Sequence, residues 1–344
     1  MFIRSAASIS PQASFSQLLT EPAVYTTNRL ICIEPDYSRI IDPKLIRRMS
    51  HIIKMGVAAA LECLKEAGIA NPDAIIAGTA YGCLADTESF LTKMVENQEE
   101  LLTPTAFIQS THNTVAAQIA LMIKCHNYNN TFVHRGFSFE NAMLDAISLM
   151  QDDEACTILV GGVDEITGVS HEILSRFGLY KKDPVSNLDM FNSSGKGTID
   201  GEGAAFFLLS KQASGSDYAK LDALYTFYKP LDIDEVKRNI DAFLTSKSMS
   251  INDIDLVVRG RNGDARNDAI YVKLDQSLFA DKDKIDYKHL CGEYPTSSAF
   301  ALWLAANILK TGKIPGSALE NPKKILFYNH YQNIHHSLYL LSAC

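Results

Sequence analysis

The sequence predicts a layered α/β protein in which a mostly parallel sheet is covered by helices. The chain has 344 residues, of which 47% are hydrophobic and 21% charged, a composition typical of a soluble protein with a large core. Helical patterns alternate with short apolar runs. The same order of elements begins again after a polar break at residues 213–217. We therefore expect two similar halves, residues 1–212 and 213–344, within one compact unit.

In the first half, apolar residues at helical spacing predict helices over residues 43–67, 114–125 and 140–150. Gly68 is a stop signal for the first of these helices. Apolar and β-branched runs predict strands over residues 74–78, 131–133, 157–163 and 204–209, with a polar turn at residues 126–130. The run at 157–163 is continuous and ends in glycines, so we expect it to be buried on both faces.

The second half repeats the pattern on a smaller scale. Strands are predicted over residues 221–228 and 253–258, and a terminal hairpin is predicted from residues 324–327 and 337–341. Helices are predicted over residues 232–247 and 297–309.

Charge and apolar runs exclude several classes of function. Lys and Arg number 32 against 40 Asp and Glu, which gives a net charge of -8 without a basic block, so a nucleic-acid groove is not expected. The longest apolar runs, residues 157–163 and 299–309, are shorter than the roughly 20 residues that span a bilayer. The N-terminus lacks a signal-peptide pattern, and we expect a cytoplasmic protein whose ligands are small or acyl molecules.

The sequence gives no support for a metal or a cofactor. Seven cysteines are scattered without a CxxC pair, so we expect free thiols rather than disulfides or structural zinc. No GxGxxG or Walker A string is present, which removes support for a nucleotide site.

Five strings in order along the chain carry a family resemblance. They are RRMS (47–50) with AAA (58–60) and EAG (66–68), DAIIAGTAYG (73–82), LTPTAF (102–107) with HNTVAAQIA (112–120), ILVGGVDE (158–165), and GEGAA (201–205). Together they resemble the β-ketoacyl-ACP synthases of the thiolase fold. The resemblance implies two duplicated βαβαβαββ-type halves in a five-layered α-β-α-β-α arrangement.

Family members use a cysteine at a strand-to-helix elbow, where it takes an acyl group as a thioester. Alignment of the elbow helix places Gly136 at the cysteine position, so the resemblance implies that the nucleophile is missing. The nearest hydroxyl, on Ser138, could act as a nucleophile only with a base in reach. Its simpler interpretation is a helix cap, with Glu140 adding negative charge to the first turn.

Two histidines normally assist decarboxylation and stabilise the enolate in this family. The first corresponds to Gly260, in the string DIDLVVRGRNGD (253–264). The second corresponds to Glu293, although the preceding Lys288 and Gly292 match the family pattern. A carboxylate cannot replace a neutral imidazole in this role. We expect Lys288 to pair with Glu293 or with another buried acid, so Lys288 and Glu293 are weak catalytic candidates.

The glycine-rich gating segment of the family is replaced by YNHYQNIHH (328–336). Bulky side chains there would hinder backbone approach and movement. Three histidines in this string, His330, His335 and His336, have no acidic or cysteine partner at ligand spacing, so we expect polar hairpin residues rather than metal ligands. The chain is also several tens of residues shorter than typical members, which favours loss of the loops that cover the acyl entrance.

The leading hypothesis is a non-condensing partner of an active β-ketoacyl-ACP synthase, similar to the chain-length factors of polyketide, aryl-polyene or pigment-type fatty-acid-like pathways. Residues 111–117 and 132–139 are expected to contact the partner, or a second copy in a homodimer. Phe137 and Phe139 are expected to limit the acyl chain length.

Two other functions stay open. One is an acyltransferase or hydrolase of acyl-carrier-protein thioesters, with Ser138 as nucleophile and Glu293 as base. The other is a homodimeric protein that sequesters an acyl ligand. An acidic acyl carrier protein would need a local basic patch. Arg47, Arg48 and Lys54 in one helical region form the first candidate patch, and Lys181 with Lys182 forms the second.

Overall fold

The computed structural model describes residues 1–192 and 195–344. Its helices are α1 (Phe15–Thr20), α2 (Pro43–Ile46), α3 (His51–Ala67), α4 (Leu84–Glu96), α5 (Pro104–Gln109), α6 (Thr114–Ile123), α7 (Ser138–Gln151), α8 (Gly168–Arg176), α9 (Ile233–Thr245), α10 (Ala265–Asp275), α11 (Lys288–Cys291) and α12 (Ser298–Thr311). Its strands are β1 (Phe2–Ile9), β2 (Thr26–Thr27), β3 (Arg29–Leu30), β4 (Ala74–Gly78), β5 (Tyr128–Phe132), β6 (Thr157–Asp164), β7 (Val185–Ser186), β8 (Asp200–Gly201), β9 (Gly203–Ser210), β10 (Ala219–Tyr228), β11 (Leu256–Arg259), β12 (Asp283–Asp286), β13 (Lys324–Tyr331) and β14 (His335–Ser342).

The long strands form two sets of five with the same connectivity. The first set has the order β5-β4-β6-β9-β1 and the second has β12-β11-β13-β14-β10. In the first set, β4 pairs in parallel with β5 and β6, and β9 pairs antiparallel with β6 and β1. In the second set, β11 pairs in parallel with β12 and β13, and β14 pairs antiparallel with β13 and β10. The sets join where β1 pairs with β10 at Ala219 and Lys220. The predicted duplication is therefore present in the strand order.

Helices cover both sets and separate them. Helices α3 and α6 pack on the outer face of the first set. Helices α7 and α12 lie between the two sets, inside the largest apolar cluster. Helices α9 and α10 cover the outer face of the second set. This five-layered arrangement confirms the predicted thiolase-like fold.

Burial explains why the central elements were predictable. Residues 298–309 of α12 are all buried, because this helix is enclosed by both sheets, and its sequence is correspondingly apolar on every side. All eight residues of β9 are buried, as expected for a strand covered on both faces. Among the helices of the described residues, none is long and apolar enough to cross a membrane.

Several predicted bounds are wrong for identifiable reasons. The helix predicted over residues 43–67 is interrupted between α2 and α3, where Ser50 is extended. The polar turn predicted at residues 126–130 overlaps β5, whose polar side chains are tolerated because this strand forms the edge of the sheet. Strand β1 and helices α4, α8 and α10 are not among the predicted elements, because mixed polar and apolar residues obscure their periodicity.

The segment at the position of the family's gating loop is part of a β-hairpin. Strand β13 continues to Tyr331 and pairs in register with β14, which begins at His335. Gln332 and Asn333 turn the chain with φ values of 55° and 54°. The predicted hairpin was therefore correct in place but several residues too short, and residues 328–336 are held in a ladder rather than in a mobile loop.

Candidate functional site

The elbow between β5 and α7 contains no thiol. After β5 the chain makes a 3-10 turn over Arg135–Phe137, and α7 begins at Ser138. Arg135 has a positive φ of 47°, which an arginine adopts only when its surroundings hold it there. Gly136 follows it and is buried. The elbow is thus present as a tight turn, with a glycine at the position where the family resemblance places a nucleophile.

Tyr331 occupies the space beside Gly136. A Cβ added to Gly136 would lie 2.5 Å from Cβ and 2.8 Å from Cγ of Tyr331, far inside van der Waals contact. Tyr331 is buried, and burial raises the pKa of its hydroxyl. A cysteine side chain at residue 136 would overlap this buried tyrosine.

Gly260, which the family resemblance places at the first histidine position, is enclosed in a similar way. A Cβ added to Gly260 would overlap the Oδ1 atom of Asn329 and would lie 2.8 Å from the hydroxyl of Tyr271. Asn329 is itself fixed, because its Oδ1 accepts a hydrogen bond of 2.9 Å from the hydroxyl of Tyr287. An amide from β13 therefore fills the volume into which a histidine at residue 260 would project.

Glu293, which the family resemblance places at the second histidine position, is engaged in a buried ion pair. The Nζ atom of Lys288 lies 2.7 and 2.9 Å from the two carboxylate oxygens of Glu293. The side-chain amide of Asn262 donates a further bond of 2.6 Å to Glu293. Burial raises the pKa of Glu293, and the charge of Lys288 and these hydrogen bonds oppose that shift. The expected pair between Lys288 and Glu293 is present, and its hydrogen bonds leave the carboxylate no free role as a base.

All three positions converge on the end of β13. Tyr331 covers Gly136 and Asn329 covers Gly260, while the carbonyl of His330 accepts a bond of 3.3 Å from Lys288. Two cavities border this region in the described part of the chain, with volumes of about 10 and 20 Å³. Each has room for about one water molecule. Neither of these two cavities has room for an acyl chain.

Comparison with known proteins shows the family of this chain. The family model of the β-ketoacyl synthase N-terminal domain matches residues 20–214, more than half of the chain. The chain belongs to the β-ketoacyl synthase family. No curated protein sequence matches the chain significantly.

Solved structures show that the family fold extends over the whole chain. The ishigamide ketosynthase/chain length factor superimposes with a TM-score of 0.84 at 15% identity, covering 100% of this chain and 98% of the other. A β-ketoacyl synthase from Burkholderia phymatum STM815 gives 0.79 at 14% identity, covering 100% and 99%. The type II polyketide complex AntDE:AntF, an acyl carrier protein with its ketosynthase, gives 0.75 at 15% identity, with the same coverage. At these identities the likeness shows the shared fold.

Within this β-ketoacyl synthase fold, Ser138 holds the elbow turn together. Its Oγ atom accepts a bond of 2.8 Å from the His134 amide and donates one of 2.8 Å to the Arg135 carbonyl. The predicted helix cap is wrong, because Phe137 is the N-cap residue and makes no side-chain cap bond. In the part of the chain that the structure describes, no acidic or histidine side chain hydrogen-bonds to Ser138. The buried hydroxyl consequently has no base beside it.

The aromatic residues of the elbow lie inside this chain. Phe139 is fully buried, with its ring centroid 5.9 Å from that of Phe207 and 6.5 Å from that of Tyr339. Phe137 packs edge-on against His335 at 4.6 Å. Neither side chain faces an acyl cavity in the described residues. The expectation that Phe139 limits acyl chain length is wrong, because its ring belongs to the central core.

The hairpin histidines have partners within the chain. His330 Nε2 lies 3.0 Å from the Asn267 carbonyl, and His336 Nδ1 lies 2.9 Å from the Tyr328 hydroxyl. Burial lowers the pKa values of His335 and His336 to about 4, which keeps both imidazoles neutral near pH 7. These residues stabilise the hairpin that closes the site.

Residues that sequence reasoning missed complete the site. Asn329, Tyr331 and Asn262 close it, and no local pattern signals these contacts, which cross between distant segments. Asp164, at the end of β6, accepts bonds from the Ala80 amide (2.8 Å) and from the Thr296 hydroxyl (2.8 Å). It thereby ties the first half to the start of α12. Its place at the end of a predicted strand was the one available signal.

The two predicted basic patches differ from their expected form. Arg47 and Arg48 are exposed after α2, whereas Lys54 lies in α3 with its Nζ 5.7 Å from the ring centroid of Tyr37. They therefore do not share one helix. Lys181 is partly buried with its Nζ 3.5 Å from the Gly263 carbonyl, and Lys182 is exposed.

Glu140 is a buried acid in the first turn of α7, between the two sheets. Its Oε1 accepts a bond of 3.0 Å from the Ser337 hydroxyl, and burial raises its pKa to about 7 from an ordinary value of 4.5. The folded state therefore binds a proton more tightly than the unfolded chain. The stability that Glu140 contributes is complete below about pH 4.5 and is lost as pH rises through 7.

We expect Glu140→Gln to raise the free energy of unfolding by about 1–2 kcal/mol at alkaline pH and to change it little in acid. Glutamine keeps an acceptor for Ser337 without a charge to bury. Urea unfolding on both sides of neutrality measures the difference. Glu154→Gln, at an exposed position just beyond α7, is the control and should be neutral at both pH values. An equal gain for Glu140→Gln in acid and alkali would contradict the assignment.

Proposed function

We propose that this chain is a non-condensing partner of an active ketosynthase, similar to a chain-length factor. One observation carries the proposal: Tyr331 and Asn329 fill the space beside Gly136 and Gly260. The family resemblance assigns these two glycines and Glu293 to the three catalytic positions. Condensation needs a thiolate nucleophile and groups that stabilise an enolate. A chain with this site would form part of the interface with an active ketosynthase and would supply no catalytic residues.

The comparisons support the class of pathway. One of the solved structures that covers the whole chain is described as a ketosynthase/chain length factor, and another holds an acyl carrier protein with its ketosynthase. By analogy, the substrate of the proposed assembly is an acyl chain on a carrier protein, in a polyketide or fatty-acid-like pathway of the aryl-polyene or pigment type. Such an assembly needs a partner with intact cysteine and histidine residues.

The open edge of β5 is the proposed contact with that partner. Tyr128 on this strand is 42% exposed, and Val133 just after it is 46% exposed. Leu121 of the neighbouring α6 is 70% exposed, and residues 111–113 before that helix are also exposed. An edge strand with apolar neighbours favours strand pairing with another chain. The elbow follows β5 directly, so such a partner would lie next to it.

We expect the purified chain, given malonyl- and acyl-carrier protein, to form no β-ketoacyl product above the rate without enzyme. Addition of an intact ketosynthase encoded beside this gene should give product, and the two chains should co-purify. Product is measured by mass spectrometry of the carrier protein. Condensation by this chain alone at the rate of the pair would contradict the proposal.

The same incubation tests the acyltransferase alternative. We expect no covalent acyl adduct on the chain, because Ser138 is buried with backbone partners only. An adduct that disappears in Ser138→Ala would support acyl transfer instead.

A further inference from the structure

Strand β10 has an open edge along most of its length. On one side it pairs with β14 from Lys220 to Tyr228. On the other side it pairs with β1 only at Ala219 and Lys220. Two bonds to Met1 follow: the Leu221 amide donates to the Met1 carbonyl at 2.9 Å, and the Met1 amino group donates to the Leu221 carbonyl at 3.4 Å. No strand of the described residues pairs with this side from Ala223 to Tyr228. The open stretch is about 20 Å long.

The register shows which backbone groups face this opening. The Lys229 amide donates a bond of 2.8 Å to the Ile334 carbonyl, on the β14 side. In an antiparallel ladder, alternate residues bond to the partner and the others point away. The residues that bond to β14 are therefore Ala223, Tyr225 and Phe227. The amides and carbonyls that point into the open edge belong to Leu224, Thr226 and Tyr228.

A groove of about 530 Å³ lies at the start of this edge, where residues 221–225 line it. One wall is formed by Leu144 and Ile147 of α7, and the opposite wall by Phe243 of α9. Since α7 and α9 lie on opposite faces of the second sheet, the groove has the position of a missing strand with a helix on each side. The alternate side chains of an added strand would contact the two walls in turn.

The charged residues of the groove favour an acidic occupant. They are Lys211, Lys247 and Asp222, of which Lys211 already pairs with Asp153. Asp222 is already engaged, with its carboxylate 2.9 Å from Lys220 Nζ and accepting a bond from Ser342. Lys247 is exposed after the end of α9 and has no ion-pair partner within residues 1–192 and 195–344. The groove thus carries an unpaired cation on a protein with a net charge of -8.

We propose that this groove binds an extended, acidic segment of a partner protein, which adds a strand to the edge of β10. Backbone bonds to Leu224, Thr226 and Tyr228 would hold the segment, apolar side chains at alternate positions would contact the two walls, and a carboxylate would pair with Lys247. Strand addition to an exposed edge is an established mode of peptide recognition. A second copy of this chain fits less well, because it would bring its own α7 and α9 to the same place.

The test uses the full chain and a fluorescent, end-capped peptide of alternating valine and threonine with glutamates at one end. We expect saturable binding by anisotropy. Hydrogen exchange should show rapid exchange at Leu224, Thr226 and Tyr228 in the free protein, slowed at least tenfold by the peptide. Ala223, Tyr225 and Phe227 should be protected in both states.

Three variants make the test specific. Thr226→Pro removes an amide that faces the open edge, without removing a bond to β14, and should abolish binding, whereas the matched Thr226→Val should bind as the wild type does. Lys247→Glu should weaken binding about tenfold. A peptide methylated on its backbone nitrogens should not bind, and this control is valid even if Thr226→Pro fails to fold. Equal binding of the methylated peptide, no protection at the three amides, or dimerisation through β10 that excludes the peptide would each overturn the proposal.

Discussion

Replacement of Lys288 by methionine is expected to lower the free energy of unfolding by about 3–5 kcal/mol. The substitution leaves the Glu293 carboxylate buried with only the Asn262 amide as a side-chain donor. It also removes the bond from Lys288 to the carbonyl of His330, which holds the end of β13 in place. Urea unfolding near pH 7 measures the loss.

Two controls separate this ion pair from a general effect of losing a lysine. The double variant Lys288→Met with Glu293→Leu removes both charges and should recover most of the loss, because no unpaired charge stays buried. Lys65→Met breaks the exposed Lys65–Glu62 contact and should change stability by less than about 0.5 kcal/mol. If the double variant is less stable than Lys288→Met, an unpaired buried charge is not the cause of the loss in the single variant.

The stability of Lys288→Met distinguishes a structural role of Lys288 from a role in positioning a reacting group. Lys288 reaches both oxygens of Glu293 and the backbone of β13, so it joins α11 to the strand that closes the site. A lysine that positions a reacting group would leave stability nearly unchanged when removed. A large loss of stability identifies Lys288 as part of the closed core, in agreement with a non-condensing role.

The sequence contained most of the information that places the central layers. The run at residues 157–163 is continuous and apolar because β6 is covered on both faces, and α12 is apolar all round for the same reason. The five family strings lie in these layers and in the loops at their ends. Burial on every side leaves few alternatives for such segments, so local pattern and fold agree.

The closure of the site could not be predicted from local pattern. The contact between Tyr331 and Gly136 joins segments from the two halves, and nothing in YNHYQNIHH indicates what its tyrosines touch. Residues 328–331 extend the ladder of the predicted hairpin beyond its predicted end. The predicted position of β5 was wrong for a different reason. Its polar edge residues resemble a turn in the sequence, where their pairing with β4 is not visible.

Introduction of a thiol at the elbow, by Gly136→Cys, is expected to destabilise the protein by about 3 kcal/mol and to give no condensing activity. The new side chain would meet Cβ of Tyr331 at 2.5 Å, and such overpacking of a well-filled core is destabilising. Gly168→Ala is the matched control, because a Cβ there meets nothing within 4 Å and should change stability by less than about 0.5 kcal/mol.

A double-variant cycle with Tyr331→Gly identifies the cause of that loss. If Tyr331 excludes the thiol, the two substitutions together should cost about 2 kcal/mol less than the sum of the single variants. The relieved variant still has Gly260 and Glu293 at the histidine positions, so we expect it to accept an acyl group without condensing it. Additive costs would show that Tyr331 does not fill the elbow. Condensation by the relieved variant would show that the two histidine positions are dispensable, which contradicts the proposed function.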